Sequence, residues 1–146
     1  MDTLFVITAE LPKNFQNRII VKIPIENPVS KNRVMARCLV DTGCVGCGIQ
    51  KSFAKKLGLS PSGTSISVTP YFTGEKPSYM VNIAFNAAAN IRDISASEFD
   101  NKDCIDFIIG MKVLRYGDMA LTNANGHTVF SFRIPPADKH IDFRNM

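Results

Sequence analysis

No stretch of this 146-residue chain approaches the roughly 18 consecutive apolar residues needed to span a bilayer. Its N-terminus also lacks the basic-then-apolar order of an export signal. Together these absences make the cytosol the default location. Long charge runs are missing too. The net charge is +4, but the basic residues are scattered and none forms a run longer than the pair Lys55–Lys56. A nucleic-acid binder gathers such residues on one face or arm, so no nucleic-acid partner is expected. Four cysteines (Cys38, Cys44, Cys47 and Cys104) are too few to act as a disulfide scaffold for a chain this long. The two histidines, His127 after an Asn-Gly turn and His140 in a polar tail, have no neighbour that suggests a Ser-His-Asp or Cys-His arrangement. Neither G-x-x-x-x-G-K-S/T nor G-x-G-x-x-G occurs, so nothing suggests nucleotide-phosphate chemistry.

What is present is one domain's worth of core: 45% hydrophobic and 21% charged residues, too apolar for a disordered chain. Helical periodicity is confined to two short pieces. One covers residues 51–57, with Phe53, Ala54 and Leu57 on one face and Gly58 as the residue that ends it. The other covers residues 111–115. Elsewhere short β-branched or alternating runs read as strands, at 4–8, 18–25, 34–40, 65–69, 79–85, 119–122 and 128–134. In the fourth, Ile66 and Val68 alternate with serines as a half-buried strand. In the fifth, Tyr79, Val81, Ile83 and Phe85 share a side. Asn125-Gly126 between the last two is a strong hairpin signal. Pro135-Pro136 ends the pattern, and residues 137–146 form a polar tail. The expectation is a small all-β closed barrel with one or two short helices, as a single domain over residues 1–136.

The chemistry concentrates at residues 38–49, Cys-Leu-Val-Asp-Thr-Gly-Cys-Val-Gly-Cys-Gly-Ile. Asp41 leaves an apolar strand, which places its carboxyl in a partly desolvated position from which it can trade a proton. Thr42 brings a hydroxyl that can lock the loop, and Gly43 lets another backbone approach without a Cβ in the way. Taken alone, the tripeptide is equally readable as an ordinary strand-to-turn connection.

Leu39-Val40-Asp41-Thr42-Gly43 resembles the active-site signature of the retropepsin-like aspartic proteases. About 65 residues on, Ile108-Ile109-Gly110 is similar to that family's hydrophobic-hydrophobic-Gly segment, which packs under the catalytic loop and precedes a short helix. Residues 69–79 fall where the family carries its β-hairpin flap, with Gly74 at the expected tip. The order of these elements, and the stretch 118–136, look particularly like bacterial single-domain members, and the resemblance spans roughly residues 18–136.

Copy number then decides the assembly. Aspartic proteases cleave peptides with two carboxylates that share one proton, because like charges about 3 Å apart cannot both ionise readily. D-S/T-G occurs once here, at Asp41. The resemblance therefore implies a C2 homodimer with one Asp41 from each subunit. It implies an aspartic endopeptidase acting on an extended polypeptide, with Asp41, Thr42 and Gly43 as catalytic residues and Tyr71, Phe72, Thr73 and Gly74 over the substrate. Ile108, Ile109 and Gly110 support the loop, and neither cofactor nor metal is needed. The alternative is a dimeric module of the same fold that binds peptide or protein and cleaves little, under redox control through Cys44 and Cys47. Those cysteines depart from the family, which has small residues such as Ala and Ser there. They read as small buried side chains, as a C-x-x-C redox pair, or as part of a four-thiolate zinc site with Cys38 and Cys104.

Overall fold

The computed structural model describes residues 5–12, 17–101 and 103–146. Along these residues the chain forms β1 (Phe5–Glu10), β2 (Ile19–Glu26), β3 (Arg33–Val40), β4 (Cys47–Gln50), α1 (Lys51–Lys56), β5 (Gly63–Thr69) and β6 (Phe72–Ala84). There follow β7 (Asn90–Phe99), β8 (Phe107–Ile109), α2 (Met111–Leu114), β9 (Asp118–Thr122) and β10 (Val129–Ile134). The mostly-β expectation holds. A seven-stranded sheet runs β2-β3-β8-β4-β7-β6-β5, and β2 also pairs with β6 at Ile25↔Ile83 and Glu26↔Asn82. A smaller sheet, β1-β10-β9, joins the two ends of the chain.

Period-two alternation explains which side chains are buried. Val21, Ile23 and Ile25 of β2, Ala36, Cys38 and Val40 of β3, and Tyr79, Val81 and Ile83 of β6 all turn into one core cluster. Phe53, Ala54 and Leu57 of the first helical turn, Val113 and Leu114 of the second, and Phe130 and Phe132 of β10 complete it. Phe85 is half-buried and lies 4.6 Å from Phe5 and 6.1 Å from Phe132, ring centre to ring centre.

Helix α1 starts where the Gln50 side chain accepts a hydrogen bond from Ser52 N at 2.8 Å. It stops in a Schellman arrangement: Gly58 N donates to Lys55 O and Leu59 N to Ala54 O, both at 3.0 Å. Gly58 takes φ +71°, the left-handed conformation that glycine adopts without a Cβ clash.

Some strand expectations need correction. In β5 the serines, not the aliphatics, are half-buried: Ile66 and Val68 are 74% and 72% exposed. The reason is register. Ile66 and Val68 sit opposite Glu75 and Thr73 on the outer face, while Ser65 turns inward onto the Ser97 hydroxyl. The hairpin tip expected at Gly74 likewise lies elsewhere. Thr69 pairs with Phe72, so the two-residue turn is Pro70-Tyr71, and Gly74 lies within β6 opposite Ser67. Strands β4 and β7 were not anticipated. The hairpin at Asn125-Gly126 is present, with φ of +53° and +74°, but its loop spans the six residues between Thr122 and Val129. The first strand was expected over residues 4–8; Leu4 lies outside the described residues, and the strand runs on to Glu10. No helix among the described residues is long and apolar enough to cross a membrane.

Candidate active site

β8 holds the centre of the site. It pairs parallel with β3 (Leu39↔Ile108, Val40↔Ile109) and antiparallel with β4 (Cys47↔Ile109, Gly48↔Ile108). The connection from β3 to β4 therefore has to arch over the C-terminal end of β8. That arch is Asp41 to Gly46. Asp106 anchors the other end of the same trio: its carboxylate accepts from Arg37 N at 2.8 Å, its N–H donates to Arg37 O, and its carbonyl accepts from Gln50 N.

Backbone contacts fix the arch. Asp41 N donates to Ile109 O at 3.0 Å, Met111 N to Cys44 O at 2.8 Å, and Lys112 N to Val45 O at 3.0 Å. Gly110 lies directly beneath. A Cβ there would fall inside the Gly46 carbonyl oxygen and crowd that of Cys44, so only glycine lets the arch rest on the strand end. Ile109 thus contacts the arch through its carbonyl and Gly110 through its lack of a side chain. Met111 and Lys112 join them through their amides, a role that no side-chain pattern could reveal.

Asp41 is half-buried, and its Oδ1 accepts from Gly43 N at 2.9 Å. A Cβ on Gly43 would stand 3.2 Å from that same oxygen, closer than ordinary van der Waals contact. Thr42, Gly43 and Val45 are exposed, Val45 by 87%. Thus the arch presents one carboxylate, oriented by a backbone amide through one oxygen, on an open surface. A single carboxylate can act as acid or as base but not as both at once.

The hairpin residues form a separate group. Tyr71 is 99% exposed at the turn, where its N–H donates to Thr69 Oγ1. The Phe72 ring folds back over Gly74, which has no side chain in its way, and the Lys76 ammonium sits 4.7 Å from the ring centre. Thr73 faces outward. Among the described residues no hydrogen bond links this hairpin to the Asp41 arch.

The cysteines divide by burial. All four are free. Burial pushes the Cys38 thiol up strongly, and it pushes Cys47 up to about 11. Cys44 is raised as well, by burial first and then by the negative charge of Asp41. Cys104 is exposed. Of the two cysteines read as small buried side chains, Cys47 is buried and Cys44 half-buried; with Cys38 in β3, all three sit where burial opposes thiolate formation. Among the described residues no group of three or more His, Cys, Asp or Glu is placed to hold a metal. His127 is half-exposed on the surface, with Nδ1 2.8 Å from Glu10 Oε1.

Against solved structures, the chain superposes on a retropepsin-like aspartic protease from Rickettsia conorii with a TM-score of 0.56 at 16% identity, covering 92% of this chain and 97% of that one. The fold is retropepsin-like. The retroviral protease-like domain of Ddi1 from Leishmania major gives a TM-score of 0.45 at 18% identity, over 76% of this chain and 93% of that domain. No protein-family model and no curated protein matches the sequence.

Proposed function

We propose that the chain is an aspartic endopeptidase that works as a C2 homodimer, with one Asp41 from each subunit forming the catalytic pair. The observation that carries this is the Asp41–Gly46 arch, in which a half-buried carboxylate is oriented by the Gly43 amide and the arch is pinned by Ile109, Met111 and Lys112. One carboxylate takes a proton from water as its oxygen adds to the peptide carbonyl carbon. The other protonates the carbonyl oxygen; the C–N bond then breaks as the nitrogen takes the proton held by the first carboxylate and a hydroxyl of the intermediate returns its proton to the second. Thr42 and Gly43 shape the loop. The Tyr71–Gly74 side of the hairpin closes over an extended peptide, which binds by strand-like hydrogen bonds. The exposed side chains of Ile66, Val68 and Tyr71 support such a covering role, because an apolar hairpin in water is poised for an apolar partner.

In this reading the domain is a closed barrel over residues 1–136, for which the β2–β6 pairing speaks, and residues 137–146 are a tail. A cytoplasmic location belongs to the same reading. No cofactor enters the chemistry.

The test is mass-spectrometric mapping of new peptide termini after incubation of wild type and Asp41→Asn with a denatured proteome, from acidic to neutral pH under reducing conditions. Sedimentation of both proteins runs in parallel. Cleavage by a dimeric wild type, reduced on the order of 10⁴-fold in the variant, supports the proposal. Cleavage by a monomer, or cleavage that Asp41→Asn leaves intact, refutes it. Silence from the wild type under every condition favours the peptide-binding module instead.

A further inference from the structure

A second concave surface lies at the far end of β3, about 25 Å of strand from Asp41 at 3.3 Å per residue. It is a cleft of about 370 Å³ lined by Glu26, Lys31, Arg33, Asn90 and Arg92. Its floor is a closed polar network. Glu26 is only 4% exposed. Its Oε1 accepts from Arg33 Nε at 2.8 Å and its Oε2 from Asn82 Nδ2 at 2.7 Å, while Asn82 Oδ1 accepts from Asp93 N at 3.0 Å. The single carboxylate in the cleft is thereby committed to Arg33.

The remaining cations are delivered by irregular backbone. Lys31 sits in the β2–β3 turn at φ +64°, a region where Gly or Asn is at home and where another L-residue costs about 1 kcal/mol. Arg92 rides on a bulge. Val81 pairs with Ile94 and Ile83 with Ile91, so Asn82 alone faces both Arg92 and Asp93, the latter at φ +58°. Bulges of this kind re-aim side chains, often at binding sites. Neither Lys31 nor Arg92 belongs to an ion pair among the described residues. Asp93, next to Arg92 in sequence, is exposed and does not line the cleft. Asn90 adds one more observation: its Oδ1 is the one buried side-chain oxygen without a hydrogen-bond partner among the described residues.

Three cations around one carboxylate leave the cleft with a surplus of two positive charges, which matches a dianion. We propose that this cleft binds the phosphate monoester of a small hydroxylated molecule. Lys31, Arg92 and the outer nitrogens of Arg33 take the phosphate oxygens in charge-assisted hydrogen bonds. Asn90, after rotation about χ2, accepts from a hydroxyl. Among the described residues no aromatic side chain lines the cleft, so a base has nothing to stack on, and a sugar or polyol phosphate fits better than a nucleotide. The volume is at the lower end of the range for small-ligand sites.

The test is calorimetric titration of the whole chain with glucose 6-phosphate, with glucose as control. Two variants are Lys31→Asn, which keeps a residue at ease with positive φ, and Arg92→Gln, which trims an exposed side chain. Expected are saturable binding of the phosphate ester, none of glucose, and roughly tenfold or more weakening in each variant, with Lys31→Asn melting no lower than wild type. Absence of saturable phosphate-ester binding overturns the proposal. So does equal affinity in both variants, or equal affinity for glucose.

Discussion

Replacing Gly110 by alanine isolates the contact on which the Asp41 arch depends. Gly110 has φ −98° and ψ −172°, a backbone conformation open to alanine, so any cost is steric and not conformational. The new Cβ would overlap the Gly46 carbonyl oxygen, and the arch would have to lift away from the end of β8. Overpacking of this kind costs about 1–3 kcal/mol. Lifting also stretches the bonds from Met111 N to Cys44 O and from Lys112 N to Val45 O, each worth about 1 kcal/mol. The sum is about 3–5 kcal/mol, a large part of the 5–15 kcal/mol that holds a typical domain folded. Urea unfolding followed by circular dichroism measures it, with two neighbouring glycines as internal scale. The atoms nearest a Cβ on Gly48 belong to the side chains of Phe99 and Ile108, at 3.0–3.3 Å, so Gly48→Ala should cost about 1–2 kcal/mol. A Cβ on Gly46 meets nothing within 4 Å, so Gly46→Ala should stay within about 0.5 kcal/mol of wild type. If Gly110→Ala proves no less stable than Gly46→Ala, the arch does not rest on Gly110 and the reasoning fails.

Two further outcomes follow from the charges and thiols. Glu26 is held below its ordinary value of 4.5, first by the Asn82 hydrogen bond and then by Arg33. A carboxyl lowered by folding contributes stability that is complete above its unfolded pKa and fades as pH falls through the folded one. The stability of wild type should therefore drop on acidification below about pH 4.5, and Glu26→Gln should remove that part of the slope; parallel acid titrations of the two proteins that superpose would contradict it. For the thiols, iodoacetamide at mildly alkaline pH should label Cys104 first and Cys44 slowly, leaving Cys38 and Cys47 unmodified until urea is added. Prompt native labelling of Cys47, read by mass spectrometry, would show that the core position assigned to it is wrong.

Much of this architecture was legible because it rests on side-chain type. The alternation of residues 34–40, the run into Asp41-Thr42-Gly43 and the helix ended by Gly58 all announce themselves in residue identity, whereas Ile108-Ile109 beside residues 39–40 was expected only from the family resemblance. The parts that did not are set by pairing. β4 is only Cys47-Gly-Ile-Gln50, buried along its length between β7 and β8, and so shows no alternation. β7 carries a bulge that breaks its period after Ile91 and fills the gap with Arg92 and Asp93. In β5 the period of two was visible, yet period alone does not say which side faces in; that depended on Ser97 lying under Ser65. The tip at Pro70-Tyr71 had a local signal, proline after threonine, in a segment where the glycine at 74 drew the assignment instead. At the arch itself the amides of Met111 and Lys112 are invisible to any reading of side chains.

The parallel pairing of β3 with β8 sets an order of events during synthesis. Asp41 and its neighbours leave the ribosome early, but the groups that hold them in place (Ile109, Gly110, Met111 and Lys112) are made much later. Until then the arch has no strand end to lie on and its amides and carbonyls remain solvated. β1 similarly waits for β10, near the end of the chain. Long-range pairing of this kind folds slowly and only after most of the polypeptide is available. A nascent chain thus carries Asp41 in an unshaped loop, and the arch comes into being only with the completed domain.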